Sequence, residues 1–131
     1  MNAVHAIVID DSRAMRLILR RIVGQLGFEV VDAEDGRAAL DLLNTLDYVP
    51  ELALVDWNMP NMNGLEFVTA VRDEPRLREM TLVMVTTESE QSHIVRALAA
   101  GAHEYVIKPF TSEAMIEKLA LLGLVPTGAN S

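Results

Sequence analysis

Five short apolar runs punctuate the chain: Val4–Ile9, Phe28–Val31, Leu52–Val55, Leu82–Val85 and Tyr105–Ile107. Most are near-continuous hydrophobics of strand length, rich in Val and Ile, the pattern of strands covered on both faces. Between them, apolar positions recur every three or four residues. Met15, Ile18, Leu19, Ile22, Val23 and Leu26 trace a first helix that stops at Gly27. Ala39, Leu40, Leu43 and Leu46 trace a second. Leu65, Val68 and Val71 trace a third, opened by the capping-box pattern Asn63-x-x-Glu66. Ile94, Val95, Leu98 and Ala99 trace a fourth, ended by Gly101, with Thr87-x-x-Glu90 as a second capping-box pattern. Met115, Ile116, Leu119 and Leu122 trace a fifth, with Thr111 as its cap.

A strand–helix unit repeated five times predicts an α/β fold with a parallel sheet, helices on both faces and right-handed crossovers. Five units are too few for an eight-unit barrel, so the expected architecture is an open, doubly wound (βα)5 sheet of flavodoxin-like type. Its expected strand order, 2-1-3-4-5, is that of known sheets of this kind and is not itself read from the pattern. One domain over residues 1–124 is expected, and the tail 125–131 (VPTGANS) is expected to be disordered.

In such sheets, ligands bind beyond the carboxyl ends of the strands, where the strand order reverses. The residues that follow each run are therefore the informative ones: Asp10 and Asp11, Asp56, Thr86 and Thr87, and Lys108 with Pro109. Brought together, they place three carboxylates beside one ammonium and a hydroxyl. Two like charges ~4 Å apart repel by about 4 kcal/mol at an effective dielectric near 20. Either one acid is protonated or a cation binds. An all-oxygen donor set without nearby His or Cys favours a hard ion such as Mg²⁺. Lys108 and a metal together suit a phosphoryl group, Thr86 offers it a hydroxyl, and a carboxylate there can act as the nucleophile.

Composition narrows the classes. The 131 residues carry a formal charge of −8, with 11 Lys and Arg against 19 Asp and Glu. An acidic domain is a poor non-specific nucleic-acid binder, since phosphate contacts need clustered cations. The basic cluster Arg13, Arg16, Arg20 and Arg21 reads as a solvated helix face. With no Cys, thiol catalysis and disulfides are excluded. No apolar run approaches the roughly 18 residues of a membrane span, and the N-terminus lacks a signal-peptide pattern, so a cytoplasmic protein without membrane insertion is expected. His5, His93 and His103 read as surface residues, Trp57 as a half-exposed neighbour of Asp56, and the helical Met residues as core filler.

The acid pair Asp10-Asp11, the D-x-x-M-P-x-M-x-G run from Asp56 to Gly64, Thr86, and Lys108-Pro109 together resemble the receiver domains of two-component response regulators, most closely the single-domain, CheY-like chemotaxis type. The match runs from Val4 to Leu122. The resemblance implies that Asp56 is the phosphoacceptor, taking the phosphoryl group from a sensor histidine kinase or a histidine phosphotransfer protein. It implies Mg²⁺ held by Asp11, Asp56 and the backbone carbonyl of Asn58, with Asp10 acting through water. Lys108 would pair with Asp56 and then with the phosphoryl oxygens. Thr86 would swing in, and Tyr105 would turn inward behind it. That would rearrange the face formed by helix four, strand five and helix five for a downstream target, such as a flagellar motor switch, or serve a phosphate sink or relay. Asn58 and Glu88 occupy the two positions thought to tune hydrolysis. Thr87 stands where Ala or Gly is usual and is expected to restrict access, and Asn63 replaces a common Asp. A monomeric signalling protein, not an enzyme, is the expectation.

Three alternatives belong to other classes. An aspartyl-phosphate phosphatase of the haloacid-dehalogenase kind needs D-x-D after strand one, where this chain has Asp10-Asp11-Ser12. An interaction module that is never phosphorylated has no need of the full set of acids, Thr86 and Lys108. A flavin carrier would need a phosphate cradle that the Asp-Asp-Ser-Arg loop lacks.

Overall fold

The structure, a computed structural model, describes residues 3–124. Five strands and five helices alternate: β1 (Val4–Ile9), α1 (Arg13–Gln25), β2 (Phe28–Ala33), α2 (Gly36–Thr45), β3 (Leu52–Val55), α3 (Gly64–Asp73), β4 (Thr81–Thr86), α4 (Gln91–Ala100), β5 (Glu104–Ile107) and α5 (Ser112–Leu121). All neighbouring strands pair in parallel, in the order β2-β1-β3-β4-β5. The expected (βα)5 fold and its strand order are those observed. The tail 125–131 lies outside the described residues. Among the described residues, no helix is long and apolar enough to cross a membrane.

Strand alternation divides the interior in two. Ile7, Ile9, Ala53, Val55, Leu82, Met84 and Tyr105 face one way and pack on α2, α3 and α4 through residues such as Leu43, Phe67 and Ala97. Ala6, Val8, Leu52, Leu54, Val83, Val85 and Val106 face the other way, onto α1 and α5 through Leu19, Val23, Met115 and Leu119. The division follows from connectivity. The step from β1 to β2 runs opposite to every later step along the sheet, so crossovers of one hand put α1 on the face away from α2, α3 and α4.

Helix starts follow local chemistry. The Ser12 hydroxyl accepts from the Met15 N–H, leaving Asp11 free of capping duty. Asn63 and Glu66 form the expected capping box, and Thr111 caps α5. The Thr87-x-x-Glu90 capping box does not form. α4 begins three residues after Glu88, with Glu90 at its N-cap making no side-chain cap bond. Thr87 instead follows directly on β4, which runs through Thr86, and its side chain is exposed.

In the arginine cluster, Arg13 and Arg21 are exposed as expected, but Arg16 and Arg20 are not simply solvated. Arg16 Nε donates to Asp32 Oδ2 at 3.0 Å and Arg20 Nη1 to Asp32 Oδ1 at 2.9 Å, while Arg16 Nη1 donates to the Asp10 carbonyl at 2.7 Å. Helix periodicity puts residues 16 and 20 on one edge of α1, and β2 delivers Asp32 beneath them.

Candidate functional site

Sheet register sets the height of the acids. Ile9 lies level with Val55 across β1 and β3, so Asp10 and Asp56 leave the sheet side by side. Their backbones remain tied to it: Asp56 N–H donates to the Ile9 carbonyl at 2.9 Å and Asp10 N–H to the Ala33 carbonyl at 3.2 Å. β4 brings Thr86 to the same end, and Lys108 N–H donates to the Thr86 carbonyl at 2.9 Å as β5 finishes. Carboxylate oxygens of Asp10, Asp11 and Asp56 all lie within 4.8 Å of one another. Thus four separate strand ends supply one cluster.

The members differ in burial. Asp10 is 1% exposed, Asp56 7% and Thr86 0%, whereas Asp11 is open to solvent. Both Asp10 oxygens are engaged: Oδ1 accepts the Ser12 N–H at 2.9 Å and Oδ2 accepts Lys108 Nζ at 2.7 Å. Lys108 Nζ stands farther from Asp56, 3.8 Å from its Oδ1. The ammonium is thus shared, with its short hydrogen bond on Asp10 rather than on Asp56. A nearly inaccessible carboxylate is costly without a charge-assisted partner, and Asp10 is the more enclosed of the two.

Asp56 keeps the freer carboxylate. Burial pushes its pKa above the ordinary aspartate value; the Lys108 charge opposes that, Asp10 adds to it, and the Thr86 hydroxyl and Trp57 N–H oppose it more weakly. A buried acid facing another acid is a group waiting for positive charge. The donor set fits a hard divalent cation. Asp11 and Asp56 have free oxygens for direct contact, and Asp10, occupied on both sides, is suited to act through water.

The rim is built from β3–α3 and β4–α4. Asn58 Nδ2 donates to Glu88 Oε1 at 2.9 Å, joining two residues thirty apart in sequence. Glu88 N–H donates to Thr86 Oγ1 at 3.3 Å, and Tyr105 Oη donates to the Glu88 carbonyl at 2.7 Å. Tyr105 already lies inward, 6% exposed, and its phenol pKa is raised by burial and by the Glu88 and Asp56 charges. Gly64 closes the far side. A Cβ there would overlap the Asp56 carbonyl oxygen and the Trp57 Cα.

Two expectations about neighbouring rings are corrected. Trp57 is buried, 7% exposed, with His93 edge-on at 5.1 Å and the Arg96 guanidinium 5.8 Å over its ring. His5 and His93 are half-buried rather than surface groups; His5 stacks on Tyr48 at 3.9 Å. His103 is exposed as a residue, yet its Nδ1 accepts the Leu82 N–H at 3.1 Å and faces Arg72 Nη2 at 3.2 Å. Sequence reading also passed over Asp35, which caps α2 through the Ala38 N–H and accepts from Asn61 Nδ2 at 2.8 Å, pinning the loop after β3. The Asp35-Gly36 pair ahead of an apolar helical pattern is a cap signal and could have marked it.

Comparison with known proteins assigns the arrangement to a family. Residues 6–120 match the response regulator receiver domain. The chain belongs to that family. It is 45% identical over 114 residues to the chemotaxis protein CheY homolog of Campylobacter jejuni, covering 86% of this chain and 87% of the relative. It is 39% identical over 117 residues to chemotaxis protein CheY1 of Helicobacter pylori, covering 88% and 94%. A solved structure of the chemotaxis response regulator CheY4 of Vibrio cholerae superposes with a TM-score of 0.84 at 30% identity, covering 92% of this chain and 99% of that one. The chain is therefore a CheY-like receiver, and the match favours this reading over the phosphatase alternative.

Proposed function

We propose that the protein is a phosphorylation-driven signalling switch of the cytoplasm, with Asp56 as its phosphoacceptor. The observation that carries this reading is the freer, raised-pKa Asp56 carboxylate at the tip of the central strand, flanked by Asp10, Asp11, Thr86 and Lys108. In the transfer step, an Asp56 carboxylate oxygen bonds to phosphorus of a phospho-histidine on a sensor kinase or phosphotransfer protein. The P–N bond breaks, and its electron pair stays on the imidazole nitrogen.

Asp11, Asp56 and the Asn58 carbonyl would hold Mg²⁺, with Asp10 through water. When bound, the ion supplies charge neutralisation for phosphoryl oxygens. This chain's own residues do the rest. Lys108, held short by Asp10, keeps an ammonium beside the acceptor for the incoming oxygens. The Thr86 hydroxyl can leave the Glu88 N–H to reach the phosphoryl group, and that frees the segment on which Tyr105 rests. Thr87 stands exposed at the mouth and narrows it. The output surface is the α4–β5–α5 face, where Val95, Leu98, Ile107 and Leu121 are exposed apolar residues. A downstream protein docking there would read the switch, as a population shift driven by local charge. The names of its relatives make a chemotaxis target, such as a flagellar motor switch, the favoured partner over a sink or relay role.

The test is labelling with acetyl phosphate. Phosphate released by alkali and by hydroxylamine, as an acyl phosphate is, should appear on the wild type only with Mg²⁺, and should vanish in Asp56→Asn. Equal labelling of Asp56→Asn would overturn the assignment.

A further inference from the structure

Glu88 is the most connected residue of the rim. Its N–H reaches Thr86, its carbonyl takes the Tyr105 hydroxyl, and its Oε1 takes the Asn58 amide. Its remaining oxygen, Oε2, lies 3.6 Å from Nδ1 of His93, on the first turn of α4. That Nδ1 is buried without a hydrogen-bond partner among the described residues. A separation of 3.6 Å is just beyond a hydrogen bond, and a buried nitrogen left unpaired opposes folding. The other acceptor in reach, Glu90 Oε2, is 3.9 Å away on a side chain that is 76% exposed. Trp57 closes the ring's other side edge-on. The imidazole is therefore fixed by the residue after Asp56, and its unsatisfied nitrogen is aimed at Glu88.

We infer that His93 is a positioning residue for loss of the phosphoryl group, holding the Glu88 carboxylate against Asn58 at the mouth of the site. This rests on the reading of Asp56 as phosphoacceptor and goes beyond the pair Asn58 and Glu88. In that step, the oxygen of a water molecule bonds to phosphorus while the P–O bond to the Asp56 oxygen breaks. The electron pair remains on the Asp56 carboxylate, and both hydrogens of the water leave on dihydrogen phosphate. Asn58 and Glu88 are the donor and acceptor that such a water meets on its way in from solvent. A carboxylate bonded by Asn58 through one oxygen and faced by the His93 nitrogen 3.6 Å from the other presents a placed acceptor; held only by an exposed asparagine, it swings. Misplacing a catalytic group by about 1 Å can cost on the order of 100-fold, so partial loosening should cost less.

The experiment uses the full chain, labelled with acetyl [³²P]phosphate and Mg²⁺, freed of donor by desalting and followed as the label decays. His93→Ala should reach the wild-type extent of labelling but lose label about 3- to 30-fold more slowly. His93→Asn, whose side-chain amide can place a donor where Nδ1 sits, should restore decay to within about twofold. Glu88→Ala and the Glu88→Ala/His93→Ala double variant should decay alike, because His93 acts through Glu88. Unchanged decay in His93→Ala overturns the inference. So does an equal slowing by His93→Ala with and without Glu88, which would mark a merely structural role. Both results leave Asp56 labelling intact and so spare the functional reading. Wild-type protein that takes no label with Mg²⁺ overturns that reading and the inference together.

Discussion

The Lys108 ammonium donates to Asp10 at 2.7 Å and stands 3.8 Å from Asp56. The cation of the site is thus anchored on the acid whose oxygens are both in use, and only leans toward the acid that is free. Lys108 therefore has a structural duty separate from chemistry. Lys108→Met strands a carboxylate that is 1% exposed, and breaking a buried pair from one side costs about 3–5 kcal/mol before discounting for the partly open lysine. Urea unfolding should show a loss of about 2–4 kcal/mol, most of it recovered in Asp10→Asn/Lys108→Met. A Lys108→Met protein as stable as wild type would show that Asp10 needs no such anchor.

Asp56 should behave in the opposite sense. Its folded-state pKa is raised by burial, so the folded protein holds a proton more readily than the unfolded chain. Stability from this group is greatest below the ordinary aspartate value and is lost as pH rises through the raised folded value. At neutral pH the charge opposes folding, and Asp56→Asn should raise Tm by a few degrees without Mg²⁺. Added Mg²⁺ should raise the wild type more than the variant and narrow the gap. Scanning calorimetry with and without Mg²⁺ checks both, and a lower Tm for Asp56→Asn contradicts the first.

His103 carries a different pH dependence. Its Nδ1 accepts from the Leu82 N–H, which only an imidazole with an unprotonated Nδ1 can do. Burial first, and the Arg72 charge second, lower its pKa. The stabilisation is full above the unfolded value near 6.5 and is lost as pH falls through the lowered folded value. His103→Leu should be less stable than wild type at pH 7.5, with the difference shrinking by pH 5. Unfolding curves at the two pH values decide it; a constant difference would show that the proton is not involved.

Gly64 should tolerate nothing larger. An alanine Cβ there meets backbone atoms of Asp56 and Trp57, which cannot rotate away as a side chain would. Gly64→Ala should cost about 2–3 kcal/mol and displace the Asp56 loop, weakening Mg²⁺ binding measured by calorimetry. Wild-type stability and affinity in Gly64→Ala would mean that the loop has room to give.

The sheet was legible because burial on both faces leaves uninterrupted apolar runs, and β1 and β3 begin and end where those runs do. β2, β4 and β5 extend beyond the predicted runs by one or two residues, through polar positions such as Asp32, Thr81, Thr86 and Glu104 that backbone pairing recruits regardless of side chain. The residues of the acid cluster were legible as the groups that follow each run, since sheet topology alone gathers them. What stayed hidden depended on side-chain reach across unrelated segments. Nothing in the spacing of Arg16 and Arg20 announces Asp32 on the next strand. Trp57 resembled an exposed ring beside a polar tip, because the helix that covers it arrives some thirty residues later. Thr87-x-x-Glu90 failed as a cap because Thr87 directly continues β4, and α4 starts only after Glu90.

Arg16 holds the Asp10 carbonyl, Ser12 and Lys108 hold its carboxylate, and Asp32 holds Arg16. Opposite them, Thr87 and Asn58 are exposed and Glu88 is half-exposed; Asn58 bonds to Glu88, and Glu88 bonds to the hydroxyls of Thr86 and Tyr105. The site thus has one wall riveted to the sheet through charged groups and one that touches it only through two hydroxyls. Under the proposed function, changes to the riveted wall should cost folding, and changes at Asn58 or Glu88 should show first in how long the phosphoryl group stays. That function would leave the duration of a response open to adjustment one rim residue at a time, with the scaffold untouched.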